Sequence, residues 1–181
     1  MDLSSFSLIR LSDNHEIKSF DCADNDLNDF FINTSKNYQK ELLAVTYVLE
    51  SPDETVAFFS LLNDKISIKD TSNNLWNRLR RKLPNSKRSP SYPAVKIGRL
   101  GVNCNFKNKG IGSGILDYLK VLFITNNRTG CKFITVDAYR QSLNFYEKNG
   151  FDYLTESDKD ADTRLMYYDL ALIRDSFSQN G

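Results

Sequence analysis

Lys107-Asn108-Lys109-Gly110-Ile111-Gly112-Ser113-Gly114 is the stretch on which the fold turns. It follows a strand-like run, Ala94 to Val102, across the short loop Asn103 to Lys109. It opens a helix-like run from about Gly110 to Ile124, with Ile111, Ile115, Leu119 and Leu122 on one apolar side. Glycines at a helix start let backbone N–H groups approach an anion, and the helix dipole places partial positive charge at that end. Lys107 and Lys109 add two full charges. The chain has no Walker A spacing. The glycines here run Gly-x-Gly-x-Gly, one residue short of the Rossmann pattern. A glycine-rich helix start that holds no ligand is the plain alternative.

Working outward, the strand before this loop carries Gly98 and Gly101, which in a strand mark a bulge or a close approach. Downstream, Lys132 to Asp137 reads as a buried strand. Gln141 to Lys148 reads as a helix stopped by Asn149-Gly150, and Phe151 to Leu154 and Arg164 to Leu170 read as two closing strands. Upstream, Ser7 to Leu11 reads as a first strand. A helix capped at Asp24 or Asn25 carries Leu27, Phe30, Phe31, Thr34 and Tyr38 at helical spacing. Ala44 to Glu50 and Thr55 to Leu62 form a hairpin around Pro52-Asp53-Glu54. Strands that alternate with helices, and two strand-helix-strand crossovers, predict an α/β (α+β) fold. Its mixed central sheet has about six to seven strands flanked by helices.

The 181 residues suit one domain, 1–181, with 40% hydrophobic and 26% charged residues and a net charge of +1. A local patch, not the whole molecule, must supply any affinity for polyanions. Residues 71–92 are such a patch and read as a basic insertion. Arg78, Arg80, Arg81, Lys82, Lys87 and Arg88 stand there without an Asp or Glu. Trp76 and Leu79 suggest a short amphipathic helix before Pro84, Pro90 and Pro93. Trp76 reads as a core anchor, with a stacking platform as the alternative. The segment itself is either a solvated loop or a docking surface for phosphate-rich RNA.

Three cysteines, Cys22, Cys104 and Cys131, form neither a disulfide framework nor a metal cluster, and His15 is the only histidine. Ser-His-Asp and Cys-His chemistry and a metal site are therefore not expected. The absence of a signal peptide pattern and of a long apolar run leads to the expectation of a cytoplasmic protein without a membrane span.

The second chemical signal is Asn144-Phe145-Tyr146-Glu147-Lys148-Asn149-Gly150-Phe151. On its own it reads as a core aromatic pair and a helix stop. Together with the glycine loop, about 35 residues upstream, it resembles the core of the GNAT acetyltransferase superfamily over residues 95–154. The family's pyrophosphate loop runs Gln or Arg, two residues, Gly, one residue, then Gly or Ala. Here Lys107, Gly110 and Gly112 take those places. The family's Phe-Tyr-x-basic-x-Gly-Phe signature is matched at Phe145, Tyr146, Lys148, Gly150 and Phe151. Many members carry an Asn seven residues before the tyrosine, where this chain has Tyr139. Phe20-Asp21-Cys22 followed by Asn25, Leu27 and Phe30-Phe31 is similar to the opening of a toxin-like GNAT subgroup. Tyr47-Val48-Leu49 and Val136-Asp137-Ala138 match that subgroup too.

The resemblance implies a GNAT fold and direct transfer of acetyl from acetyl-CoA to a primary amine. It assigns Leu100, Gly101 and Val102 to the pantetheine arm, residues 107–114 (Lys107, Asn108, Lys109, Gly110, Ile111, Gly112, Ser113, Gly114) to the pyrophosphate, and Asn144 to a further cofactor contact. Tyr146 is the implied acid for the departing thiolate. An ordinary phenol of pKa about 10 stands only mildly uphill of a thiol of about 8.5. Asp137, at a strand end, is either a general base or a helix cap. The subgroup implies the α-amino group of aminoacyl-tRNA as acceptor, and the basic run then offers Arg78, Arg80, Arg81 and Lys82 as contacts to the RNA. It also implies a ribbon-helix-helix antitoxin as partner and leaves a homodimer open. A small-molecule or protein amine is the alternative acceptor, and a non-catalytic CoA- or partner-binding module is the second alternative.

Overall fold

The computed structural model describes residues 3–81, 89–125 and 129–178. Its elements are β1 (Ser7–Arg10), α1 (Asn25–Asp29), a π-helical turn (Phe30–Thr34), α2 (Ser35–Lys40), β2 (Val45–Glu50), β3 (Thr55–Ser67) and α3 (Asn73–Arg81). β4 (Ser91–Val102), α4 (Ile111–Thr125), β5 (Phe133–Tyr139), α5 (Leu143–Lys148), β6 (Asp152–Tyr153), β7 (Thr163–Asp169) and α6 (Ala171–Ser178) follow. One seven-stranded mixed sheet has the order β1-β2-β3-β4-β5-β7-β6. The pairs β1/β2, β2/β3, β5/β7 and β6/β7 are antiparallel. β4 and β5 are neighbours joined through α4, the long connection that parallel pairing demands.

The chain divides into two compact units, Met1–Leu62 with Ile97–Leu119, and Asn63–Lys96 with Lys120–Gly181. The first unit buries an aromatic cluster built from Leu11, Phe20, Cys22, Phe30, Phe31, Val48 and Phe58. The Phe31 and Phe58 rings stack at 4.5 Å, and Phe20 stands edge-on to both. Asp24 caps α1 by accepting from the Leu27 N–H at 3.1 Å, as its position predicts. The single helix expected through Tyr38 is instead broken by the π turn, in which the Ser35 N–H reaches back to the Phe30 carbonyl. The Ser35 hydroxyl donates to the Phe31 carbonyl at 2.6 Å, a back-bond that often bends helices. In α4, Ile111, Ile115, Leu116 and Leu119 are buried, so its apolar stripe is real.

The second unit has its own core of Ile66, Leu75, Trp76, Leu79, Ala94, Phe133, Leu154 and Tyr167. Trp76 is the core anchor expected of it, 3% exposed and stacked on Tyr92 at 5.2 Å. In β5, Phe133, Ile134, Thr135 and Val136 are all buried, the continuous run of a strand covered on both faces. β3 runs to Ser67, five residues past the expected hairpin end, and β4 begins at Ser91, three before its expected start. The helix expected from Gln141 starts at Leu143, after a 3-10 turn at Arg140–Ser142. α6 (Ala171–Ser178) is a further helix, beyond the elements expected from the sequence. Asp169 accepts from the Ala171 N–H at 3.0 Å, so a cap was there to be seen. Among the described residues no helix is long and apolar enough to cross a membrane, and no group of metal-ligating side chains gathers.

Candidate active site

The loop after β4 belongs to the first unit. Asn103 is buried, and its side chain donates to the Thr55 carbonyl at 2.9 Å while accepting from the Asn105 N–H at 3.1 Å. That anchor turns the chain through Cys104–Phe106 into residues 107–110. Asn108 and Gly110 both take positive φ, 60° and 79°. Alternation of right- and left-handed backbone turns successive N–H groups toward one concavity, which is how loops cradle anions. The 15-residue helix α4 begins one residue later, so its first-turn N–H groups, which lack partners within the helix, face the same end. Ile111 is buried beneath the loop, and Gly112, Ser113 and Gly114 are half-buried. Gly114 abuts Leu3, whose side chain would stand 3.2 Å from an added Cβ.

The two lysines of this loop have different surroundings. Lys107 donates to the Cys22 carbonyl at 2.8 Å, whereas the Lys109 ammonium stands over the Phe106 ring at 5.0 Å and is exposed. The Lys107 bond explains Phe20-Asp21-Cys22 physically. Asp21 accepts from the Ala23 N–H and from Asn28 Nδ2, each at 2.8 Å, while its carbonyl accepts from the Cys104 N–H at 2.8 Å. Those bonds, the Ala23 N–H first, hold the Asp21 carboxyl below its ordinary value. The turn at 20–23 is thus tied to the chain that enters the anion loop, at Cys104 and at Lys107. Nothing in local periodicity signals such a tie.

Gly98 and Gly101 each face a neighbouring side chain at close range. A Cβ on Gly101 would lie 2.6 Å from a Phe58 ring carbon, and one on Gly98 would lie 2.5 Å from a Leu62 methyl. Gly101 is buried between half-buried Leu100 and Val102.

Tyr146 belongs to the second unit. The Gly150 N–H bonds the Glu147 carbonyl at 2.9 Å, the Phe151 N–H bonds the Tyr146 carbonyl at 3.1 Å, and Gly150 takes φ 83°. That is a complete Schellman stop, and its accompanying apolar contact is the edge-on pair Tyr146–Phe151 at 5.3 Å. The signature Phe-Tyr-x-Lys-x-Gly-Phe is therefore a device that ends α5 and pins the tyrosine. Tyr146 is 6% exposed, and burial pushes its phenol well above the ordinary value. Asn144 on the same helix is exposed, as is Tyr139 at the end of β5.

Asp137 does not cap a helix. It lies within β5 opposite Leu165 and pairs with Lys96 at 2.7 Å, because β5 continues two residues past its expected end. In the basic segment, Arg78 donates to Asp152 at 3.3 Å and to the Tyr167 hydroxyl at 3.4 Å. It shares a groove with Asp152 and Glu156. Arg80 and Arg81 are exposed on α3, while Lys82, Lys87 and Arg88 lie outside the described residues. The sequence reading also passed over Arg99, a charged residue between two glycines of β4.

No family model matches the chain, and no curated protein does. Solved structures match over nearly its full length. A tyrosine-to-phenylalanine mutant of KacT has a TM-score of 0.77 at 18% identity, covering 94% of this chain and 98% of that one. AtaT complexed with acetyl-methionyl-tRNAfMet has a TM-score of 0.74 at 16% identity, covering 95% and 99%. An AtaT mutant bound to the C-terminus of the antitoxin AtaR and acetyl-CoA has a TM-score of 0.70 at 16% identity, covering 96% and 98%. The fold expected from the GNAT resemblance is the fold observed.

Proposed function

We propose that this chain is an acetyl-CoA-dependent N-acetyltransferase of the GNAT type, acting on the α-amino group of aminoacyl-tRNA as a cytoplasmic toxin. The observation that carries the reading is the concavity at 107–110, where Asn108 and Gly110 at positive φ aim backbone donors at the start of α4. A pyrophosphate is the ligand class that suits it. The likeness to AtaT, described with acetyl-CoA and with acetyl-methionyl-tRNAfMet, supports the choice of substrates. An antitoxin belongs to the same reading, supported by the description of AtaT with the antitoxin AtaR, and the ribbon-helix-helix kind is what the sequence resemblance implies.

In the proposed reaction the free amine attacks the thioester carbonyl, the new C–N bond forms and the C–S bond breaks. Residues 107–114 bind the pyrophosphate through backbone N–H groups. Lys107 braces the 20–23 turn, and Lys109 brings an exposed charge beside Phe106. The backbone of Leu100 to Val102 orients the pantetheine arm. Tyr146 gives its proton to the departing thiolate and is reprotonated from solvent, while the proton lost by the amine leaves to water. An ordinary phenol would face roughly 1.5 pKa units, about 2 kcal/mol, against a thiol. Burial raises the Tyr146 phenol, so it stands protonated when the thiolate departs.

A small-molecule or protein amine is the second reading. The groove beside Arg78 supports it, because the carboxylates of Asp152 and Glu156 suit a cation better than a phosphate. The deciding experiment is acetyl transfer from labelled acetyl-CoA to charged tRNA, polyamines and a peptide amine in parallel. Label that stays with the charged tRNA, and resists mild base only as acetyl-amino acid, supports the proposal. Label found only on the polyamine or peptide overturns the tRNA reading.

A further inference from the structure

Arg99 is a charged side chain on β4 between Gly98 and Leu100. Its guanidinium lies over the Phe30 ring, 5.2 Å from the centroid, and Nη1 donates to the Gly98 carbonyl at 2.9 Å. Nε is buried and has no hydrogen-bond partner. The Asp26 carboxylate is 3.8 Å from it, close enough for charge attraction and too far for a hydrogen bond. Yet the side chain as a whole is 40% exposed, although Nε itself is covered.

A buried N–H without an acceptor is costly, and folded chains rarely leave one unsatisfied without a reason. An arginine placed only to hold α1 would close the gap to Asp26, whose own side chain is 62% exposed. The Nε–H and the adjacent Nη2–H point the same way and match two oxygens of a phosphate or carboxylate. The support is also unusual. Phe30, on which the guanidinium rests, opens the π turn, and such turns recur at functional sites. The aromatic cluster beneath it fixes the plane of the fork.

The position along the strand decides whose oxyanion this is. At about 3.3 Å per residue, Arg99 lies roughly 10 Å upstream of Val102, where the strand ends before the anion loop. Under the proposed function the phosphates of acetyl-CoA belong to that loop, and the arm beside Leu100 to Val102 carries none. We propose that Arg99 is a specificity-determining residue that binds a phosphate of the acceptor through its Nε/Nη2 fork, with Phe30 as platform and Asp26 as the contact that is displaced. This rests on the aminoacyl-tRNA reading for the identity of the acceptor, and on the geometry alone for the existence of the oxyanion site.

The test separates the two. Calorimetry on the full chain, saturated with CoA to fill the other phosphate site, compares adenosine 5′-monophosphate with adenosine. The wild type should prefer the monophosphate, and Arg99→Lys, which keeps the charge and loses the fork, should lose about tenfold of that preference. Asp26→Asn, which removes the competing carboxylate, should bind the monophosphate as tightly as wild type or tighter. CoA affinity and melting temperature should be unchanged in both variants. In acetyl transfer to charged tRNA, Arg99→Lys should raise the acceptor KM with kcat within about threefold. A wild type that does not distinguish adenosine 5′-monophosphate from adenosine, or an Arg99→Lys that keeps the preference, overturns the proposal. So does a fall in kcat at unchanged KM, which would make Arg99 a stabiliser of the reacting carbonyl. If charged tRNA is no substrate, the proposed acceptor fails while the calorimetry still decides the oxyanion site.

Discussion

Gly98→Ala and Gly101→Ala meet nearly the same nominal clash and should have opposite outcomes. At Gly101 the new methyl would lie 2.6 Å from Cε1 of Phe58 and 3.2 Å from Cζ of Phe20. Carbon atoms rest comfortably at about 3.5–4.0 Å, so the Phe58 ring would have to retreat by roughly 1 Å. It cannot do so cheaply: Phe58 is fully buried, stacked on Phe31 at 4.5 Å and flanked edge-on by Phe20 at 5.4 Å. Overpacking of this kind costs about 1–3 kcal/mol. The loss of unfolded-state entropy on replacing glycine returns about 0.4–1 kcal/mol. A net loss of about 1–2 kcal/mol corresponds to roughly 2–8 °C in Tm for a chain of this size. At Gly98 the obstacle is the terminal methyl of half-buried Leu62 at 2.5 Å, and the next atom, the Ser60 carbonyl oxygen, is at 3.8 Å. A rotation about χ2 removes the contact, so Gly98→Ala should melt within about 2 °C of wild type. Urea and thermal melts of both variants, with unchanged m-values, check this. A Gly98→Ala as unstable as Gly101→Ala, or a Gly101→Ala that melts with wild type, would refute the reasoning.

Tyr146→Phe should lower kcat at least about tenfold and, since general acids contribute roughly 10²–10⁴-fold, leave the acetyl-CoA Kd nearly unchanged. Because burial raises the Tyr146 phenol, it stays protonated over the assay range, and kcat should show no descending limb below about pH 10 that Tyr146→Phe removes. Gly110→Asp places a Cβ at φ 79° and a negative charge in the concavity, so calorimetry should show acetyl-CoA affinity falling at least about tenfold. Arg80→Gln with Arg81→Gln should flatten the salt dependence of an RNA acceptor's KM by up to two phosphate contacts, and identical slopes in the double variant and wild type would make these two residues a solvated face.

Sequence by itself determined what depends on local periodicity and backbone conformation. The stop at Asn149-Gly150, the cap at Asp24 and the amphipathic α3 were all legible, because each is decided within about one helical turn. Tertiary structure decided which groups meet over long separations. Lys107 finds the Cys22 carbonyl 85 residues away, and Arg78 finds Asp152 74 residues away. The first ties Lys107 to the 20–23 turn, and the second draws Arg78 into a groove with carboxylates. Gly101 is glycine because Phe58 faces it, and Asp137 is an ion-pair partner because β5 runs on past it. The unpaired Nε of Arg99 emerges only when Phe30, Asp26 and Gly98 are assembled around it. Hydrophobic spacing encodes which face is buried. It does not encode which polar atom lies across from which, and that pairing sets the charge and the hydrogen bonding of a site.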